Sequence, residues 1–123
     1  MESRRVLIVD DLPFMRKVLR DALTEGGFAV AAEAENGREG LALYQENRPD
    51  LVILDIAMPV MDGISALERL MRRDPSAAVI MCSALGEQEM IIRAIRLGAK
   101  DFIVKPFQPE RVVSAARKAL RLP

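Results

Sequence analysis

Four short, unbroken apolar runs set the strongest limit on how this chain folds: VLIV at 6–9, LVIL at 51–54, AVIMC at 78–82 and FIV at 102–104. A sheet with one wet face would alternate polar and apolar residues. Runs with no polar member suit strands buried on both faces, as in a parallel sheet covered by helices. FAVAA at 28–32 is a fifth, weaker run. Between the runs the period changes. Met15, Val18, Leu19 and Ala22 recur at helical spacing, and Gly26-Gly27 marks the stop. Asn36 followed by Glu39 reads as a capping box opening a second helix, with Leu41 and Tyr44 turned inward. Ile64, Leu67 and Leu70 form a third stripe, ended by Arg72, Arg73, Asp74 and Pro75. Met90, Ile91, Ala94 and Leu97 form a fourth, with Gly98 in the C′ position. Pro109 near a helix start, then Val112, Val113, Ala116 and Leu120, gives the fifth. Strand and helix alternate five times, which predicts an α/β, doubly wound parallel sheet forming one domain over residues 1–123.

In such a sheet every strand ends on the same edge, and ligands bind in the crevice there. Asp10 and Asp11 follow the first strand, Asp55 the third, Ser83 the fourth, and Lys105-Pro106 the fifth. Each residue taken alone has a structural reading: Asp11 as a helix cap, Asp55 as a strand-end turn, Ser83 as a cap, Lys105 as a solvated charge. Together they resist it, because clustered carboxylates repel one another unless a cation sits among them. The chain has no histidine and one cysteine, Cys82. That excludes histidine-based nucleophilic catalysis, a thiolate zinc cage and an internal disulfide. Oxygen ligands alone point to Mg²⁺, with Mn²⁺ as its substitute. A carboxylate beside Mg²⁺ and an ammonium suits phosphoryl transfer through an aspartyl phosphate. VDDLPF stands where a Gly-rich phosphate loop would lie, so a nucleotide is not expected. Lys and Arg number 18 and Asp and Glu number 18, a balance unlike that of a nucleic-acid binder. The longest uncharged run, residues 75–86, is 12 residues and too short to span a bilayer. MESRR leads straight into VLIVDD with no signal-peptide core, so the expectation is a soluble cytoplasmic protein, with no membrane partner.

From VLIVDD through LVILDIAMPVMDG and MCSALG to GAKDFIVKPF, the sequence resembles the response-regulator receiver domains over essentially its whole length. DDLPFMR, CSALGEQ and VKPFQPERV look further like the family's single-domain chemotaxis regulators. The resemblance implies a flavodoxin-like sheet in the order 2-1-3-4-5. It implies that Asp55 accepts a phosphoryl group from a CheA-like histidine kinase. Asp11, Asp55 and the backbone carbonyl of Ala57 would hold Mg²⁺ directly, with Asp10 acting through water. Lys105 would pair with the phosphoryl oxygens, and the Lys105-Pro106 bond would be cis. Ser83 and Phe102 match the family's switch positions, although Phe102 reads equally as a core residue of the fifth strand. Phe102 stands where a tyrosine is common, and Ala57 and Leu85 occupy positions that tune the phosphoryl lifetime. The implied output face lies on helix 4, strand 5 and helix 5, with Ile91, Ile95 and Phe102 as partner contacts. A FliM-like flagellar motor switch protein or another output protein would bind there, a phosphatase would reset the signal, and the protein would act as a monomer. The implied role is that of a phosphoacceptor and not an enzyme in its own right.

Two other readings share these residues. The chain could be the N-terminal receiver of a longer regulator with a DNA-binding or enzymatic output, although the stop at ALRLP suits a stand-alone protein. A haloacid-dehalogenase-like phosphotransferase also uses an aspartate and Mg²⁺ on a doubly wound sheet. Its Asp-x-Asp motif is not met, since Asp10 and Asp11 are adjacent and Leu12 follows.

Overall fold

The apolar runs are the interior of the molecule. A computed structural model describes residues 3–123, and in it five strands and five helices alternate without exception. They are β1 (Arg5–Val9), α1 (Pro13–Glu25), β2 (Ala29–Ala34), α2 (Gly37–Asn47), β3 (Leu51–Leu54), α3 (Gly63–Arg73), β4 (Val79–Ser83), α4 (Gln88–Leu97), β5 (Asp101–Val104) and α5 (Pro109–Ala119). The strands are all parallel and lie in the order β2-β1-β3-β4-β5. This is the flavodoxin-like arrangement expected from the sequence. Among the described residues no helix is long and apolar enough to cross a membrane.

Alternation along each strand divides the core in two. Leu7, Val9, Val52, Leu54, Val79, Met81 and Phe102 point toward α2, α3 and α4 and meet Leu41, Leu67, Leu70 and Ala94. Val6, Ile8, Leu51, Ile53, Ile80, Cys82 and Ile103 point the other way and meet Leu19 and Leu23 of α1 and Val112, Ala115 and Ala116 of α5. Each fully buried Leu, Ile or Val contributes about 1.5–3 kcal/mol, so a polar residue on either face of the central strands would cost stability.

Local signals fix the boundaries. Pro13 opens α1, where its missing N–H would have had no partner. Gly27, at φ 93°, closes that helix: Phe28 N–H returns to Leu23 O at 2.9 Å and Gly27 N–H to Thr24 O at 3.1 Å. Phe28 therefore belongs to the end of α1, and β2 runs over Ala29–Ala34 where the sequence predicts 28–32. The reason is a bulge. Val6 faces Val30 but Leu7 faces Ala32, which leaves Ala31 unpaired. At α2, Asn36 Oδ1 accepts the Glu39 N–H at 2.9 Å as a capping box requires. The return bond lands one residue early, from Glu35 N–H to Glu39 Oε1 at 3.2 Å. β4 lies one residue later than the apolar run, so Ser83 is its last residue.

Candidate functional site

β1 and β3 are neighbours, and their carboxyl ends carry Asp10 and Asp55 side by side. Carboxylate oxygens of Asp10, Asp11 and Asp55 lie within 4.8 Å of one another. Asp10 is 1 % and Asp55 6 % exposed, while Asp11 is half-buried at the mouth. The capping role open to Asp11 is not taken: the residue before α1 is Leu12, with no side-chain cap, and Asp10 Oδ1 accepts the Leu12 N–H at 2.9 Å.

β5 brings the counter-charge from the sheet edge beyond β4. Lys105 Nζ donates to Asp10 Oδ2 at 2.7 Å and stands 3.5 Å from Asp55 Oδ2. The Lys105-Pro106 bond is cis. Ser83 is 1 % exposed, and its Oγ accepts the Leu85 N–H at 3.1 Å. Ala57 is exposed in the loop that leaves Asp55. Asp55, Asp10, Asp11, Lys105 and Ser83 thus end up on the one edge where the sequence places them.

Burial pushes the Asp55 pKa upward; Lys105 pulls against it, the Asp10 charge pushes with it, and the net shift is up. The Ile56 N–H, donating to Asp55 Oδ1 at 2.8 Å, supports the ionised form without reversing that. Burial alone would lower the Lys105 pKa, but its hydrogen bond to Asp10 and the charges of Asp55 and Asp10 outweigh burial and raise it. Cys82, below this cluster, is pushed by burial to about 12 and stays a thiol. Three carboxylates share one ammonium, so the site has room in its charge balance for a divalent cation. Its donors are all oxygen, which fits Mg²⁺.

A family model for the response regulator receiver domain matches residues 6–117. The chain belongs to that family. It is 57 % identical over 116 residues to the chemotaxis protein CheY of Thermotoga maritima, covering 94 % of this chain and 97 % of that one. It is 55 % identical over 118 residues to CheY of Bacillus subtilis, covering 96 % and 98 %. Among solved structures it resembles the CheX–CheY–BeF3–Mg²⁺ complex of Borrelia burgdorferi, with a TM-score of 0.91, 40 % identity and coverage of 94 % of this chain and 87 % of that one. The protein is a CheY-like two-component receiver domain, a signalling protein and not an enzyme of the dehalogenase kind. Receiver domains hold Mg²⁺ at an acidic pocket, and Asp10, Asp11 and Asp55 supply one here.

The three residues expected on the output face differ in exposure. Phe102 is 8 % exposed and packs in the core on the α2–α4 side, so it offers no contact surface in this conformation. Ile91 is half-buried against the same cluster. Ile95 is exposed as expected, and the structure also exposes three residues that the sequence did not assign to this face: Leu85, Ile92 and Val104. At α4, Met90, Ile91, Ala94 and Leu97 set the inward face and so leave Ile92 and Ile95 outside.

Gly63 was also missed as a site residue. A Cβ there would lie 1.8 Å from the Asp55 carbonyl oxygen, and the Gly63 N–H donates to Ile56 O at 2.8 Å. Only glycine lets the start of α3 press against the backbone that carries Asp55. The signal lies in Asp62-Gly63, a dipeptide that marks turns. Asp62 is the cap of α3, accepting the Ser65 N–H at 2.8 Å.

Proposed function

We propose that residues 1–123 act as one receiver domain that takes a phosphoryl group on Asp55 from a CheA-like histidine kinase and relays it as a change of surface. The carrying observation is Asp55 itself, buried yet 3.5 Å from the Lys105 ammonium and within 4.8 Å of the Asp10 and Asp11 oxygens. An Asp55 oxygen forms the new P–O bond as the donor's P–N bond breaks, and the histidine this chain lacks is the one on the kinase. Asp10, Asp11, Asp55 and the Ala57 carbonyl would hold Mg²⁺, or Mn²⁺ in its place, which neutralises phosphoryl charge when bound. Asp55 supplies the nucleophilic oxygen, and Lys105 meets the phosphoryl oxygens.

The signal is a population shift. A charge-assisted hydrogen bond contributes about 1.5–3 kcal/mol, whereas moving an equilibrium from 1:99 to 99:1 takes about 5.5 kcal/mol. Lys105 already bonds Asp10, so it exchanges one anion for another and adds less than a full bond. Ser83 Oγ accepts the Leu85 N–H and keeps its own hydroxyl proton to donate, so a turn of Ser83 toward the phosphoryl carries the Leu85 backbone with it or strains that bond. That movement draws on the β4–α4 loop and alters the surface of Leu85, Ile92, Ile95 and Val104. A FliM-like motor switch protein, as the likeness to CheY suggests, reads that surface, and a phosphatase resets it.

The test is incubation with acetyl phosphate and Mg²⁺, followed by mass spectrometry of wild type and Asp55→Asn. One phosphoryl on wild type and none on the variant is expected. Modification that survives Asp55→Asn would move the acceptor elsewhere.

A further inference from the structure

Glu33 is an acidic residue in a strand whose neighbours on either side are alanines, and the bulge determines which way it faces. Val30 packs with the α1–α5 cluster, so strict alternation would turn Glu33 toward α2–α4. The unpaired Ala31 shifts the phase by one residue: Ala32 and Ala34 join the α2–α4 cluster, and Glu33 turns to α1. There its carboxylate meets two guanidinium groups. Arg20 Nη1 lies 2.6 Å from Oε2, and Arg16 Nε lies 3.6 Å from Oε1. Arg16 is largely buried, and its Nη1 donates to the backbone carbonyl of Asp10 at 2.7 Å. Asp10 is held at four points: its N–H by Ala34 O at 3.0 Å, its carbonyl by Arg16, its Oδ1 by the Leu12 N–H at 2.9 Å and its Oδ2 by Lys105 at 2.7 Å.

We propose that Arg16 and Glu33 are positioning residues for the cation site: Glu33 aims Arg16, and Arg16 fixes the peptide joining Asp10 to Asp11, so that both carboxylates face Asp55. The inference rests on the reading of the acidic cluster as a divalent-cation site. It carries a sign that charge alone does not. A guanidinium near the cluster repels a divalent cation, so simple removal of its charge tightens binding. Loss of positioning weakens it, and outer partners of metal ligands are worth roughly 10–100-fold in affinity.

Calorimetric titration of the full chain with MgCl₂ separates the two. Arg16→Met is expected to weaken Mg²⁺ binding about tenfold, Glu33→Gln to weaken it by less, and Arg16→Lys to recover part of the loss. Because the two residues act in series, the double variant should bind no more weakly than Arg16→Met alone. Unchanged or tighter binding by Arg16→Met overturns the inference. If that variant does not fold, Arg16→Lys, which keeps the charge and loses the guanidinium fork, carries the test: binding as tight as wild type overturns the inference. Wild type that fails to bind Mg²⁺ would bring down the cation-site reading and this inference with it. Wild type that binds, with Arg16→Met binding equally, overturns the inference alone.

Discussion

Replacing Asp55 by Asn should stabilise the metal-free protein, although it removes the residue on which the proposed chemistry depends. At an effective dielectric of about 20, Lys105 at 3.5 Å attracts the Asp55 carboxylate by about 5 kcal/mol. Asp10 and Asp11, each within 4.8 Å, repel it by about 3.5 kcal/mol apiece, less for the half-exposed Asp11. Attraction and repulsion nearly cancel, which leaves the cost of burying the carboxylate. The raised pKa has the same cause and sets the pH window. A carboxyl whose folded pKa exceeds its unfolded value binds protons more readily when folded, so its effect on stability worsens as pH rises between the two values. The penalty is complete once the pH stands above the raised folded pKa; below the ordinary aspartate pKa of about 3.9 it is gone. Asn keeps the shape and the acceptor for the Ile56 N–H without the charge. The expected gain is about 1–2 kcal/mol, or about 3–10 °C in Tm for a chain of this length. Thermal melts in a chelator at pH 7.5 and again near pH 3.5 measure it, with the gain vanishing at the lower pH. Added Mg²⁺ should then reverse the order, since a ligand at 100 times its Kd stabilises by about 2.7 kcal/mol and wild type binds it better. A variant that melts no higher than wild type in chelator, or gains as much from Mg²⁺, would refute the charge balance described here.

Three further outcomes follow from the same geometry. Lys105→Met leaves Asp10 and Asp55 buried without a cation and should cost about 3–5 kcal/mol in chelator by urea unfolding, with part recovered in Mg²⁺. Gly63→Ala sets a methyl against backbone 1.8 Å away, and should lower stability by about 3 kcal/mol and weaken Mg²⁺ binding by displacing Asp55. Val60 is β-branched with φ at 69°, where Met61 N–H turns back to Pro59 O at 2.7 Å. Val60→Gly relieves strain of about 1–3 kcal/mol against an unfolded-state cost of about 0.4–1 kcal/mol, so it should raise Tm slightly.

The sheet and the site edge were legible in sequence because both depend on local pattern. LVIL marks β3 to the residue, and the polar residue after each buried strand marks the site. What sequence left open depends on phase and approach. The Ala31 bulge has no local signature in AVAAEA, where four alanines fit either face, so the orientation of Glu33 was hidden. Phe102 read as both core and switch because its burial is decided by packing across β4 and α4. Gly63 shows its role only when the start of α3 is laid against Asp55, eight positions earlier in the chain.

The ion pair between Asp10 and Lys105 joins residues 95 apart, from the second-innermost strand to the far edge of the sheet. A fragment ending before β5 would contain the whole acidic cluster, on adjacent strands, with its ammonium missing. Such a fragment could bury β1 and β3 only by burying uncompensated charge, or by leaving the carboxylates protonated or wet. The chemistry of the site thus acts as a check on assembly: the charge balance of the first half of the chain closes only when its last strand arrives. Loop-closure cost already makes that contact late, and electrostatics makes the molecule depend on it.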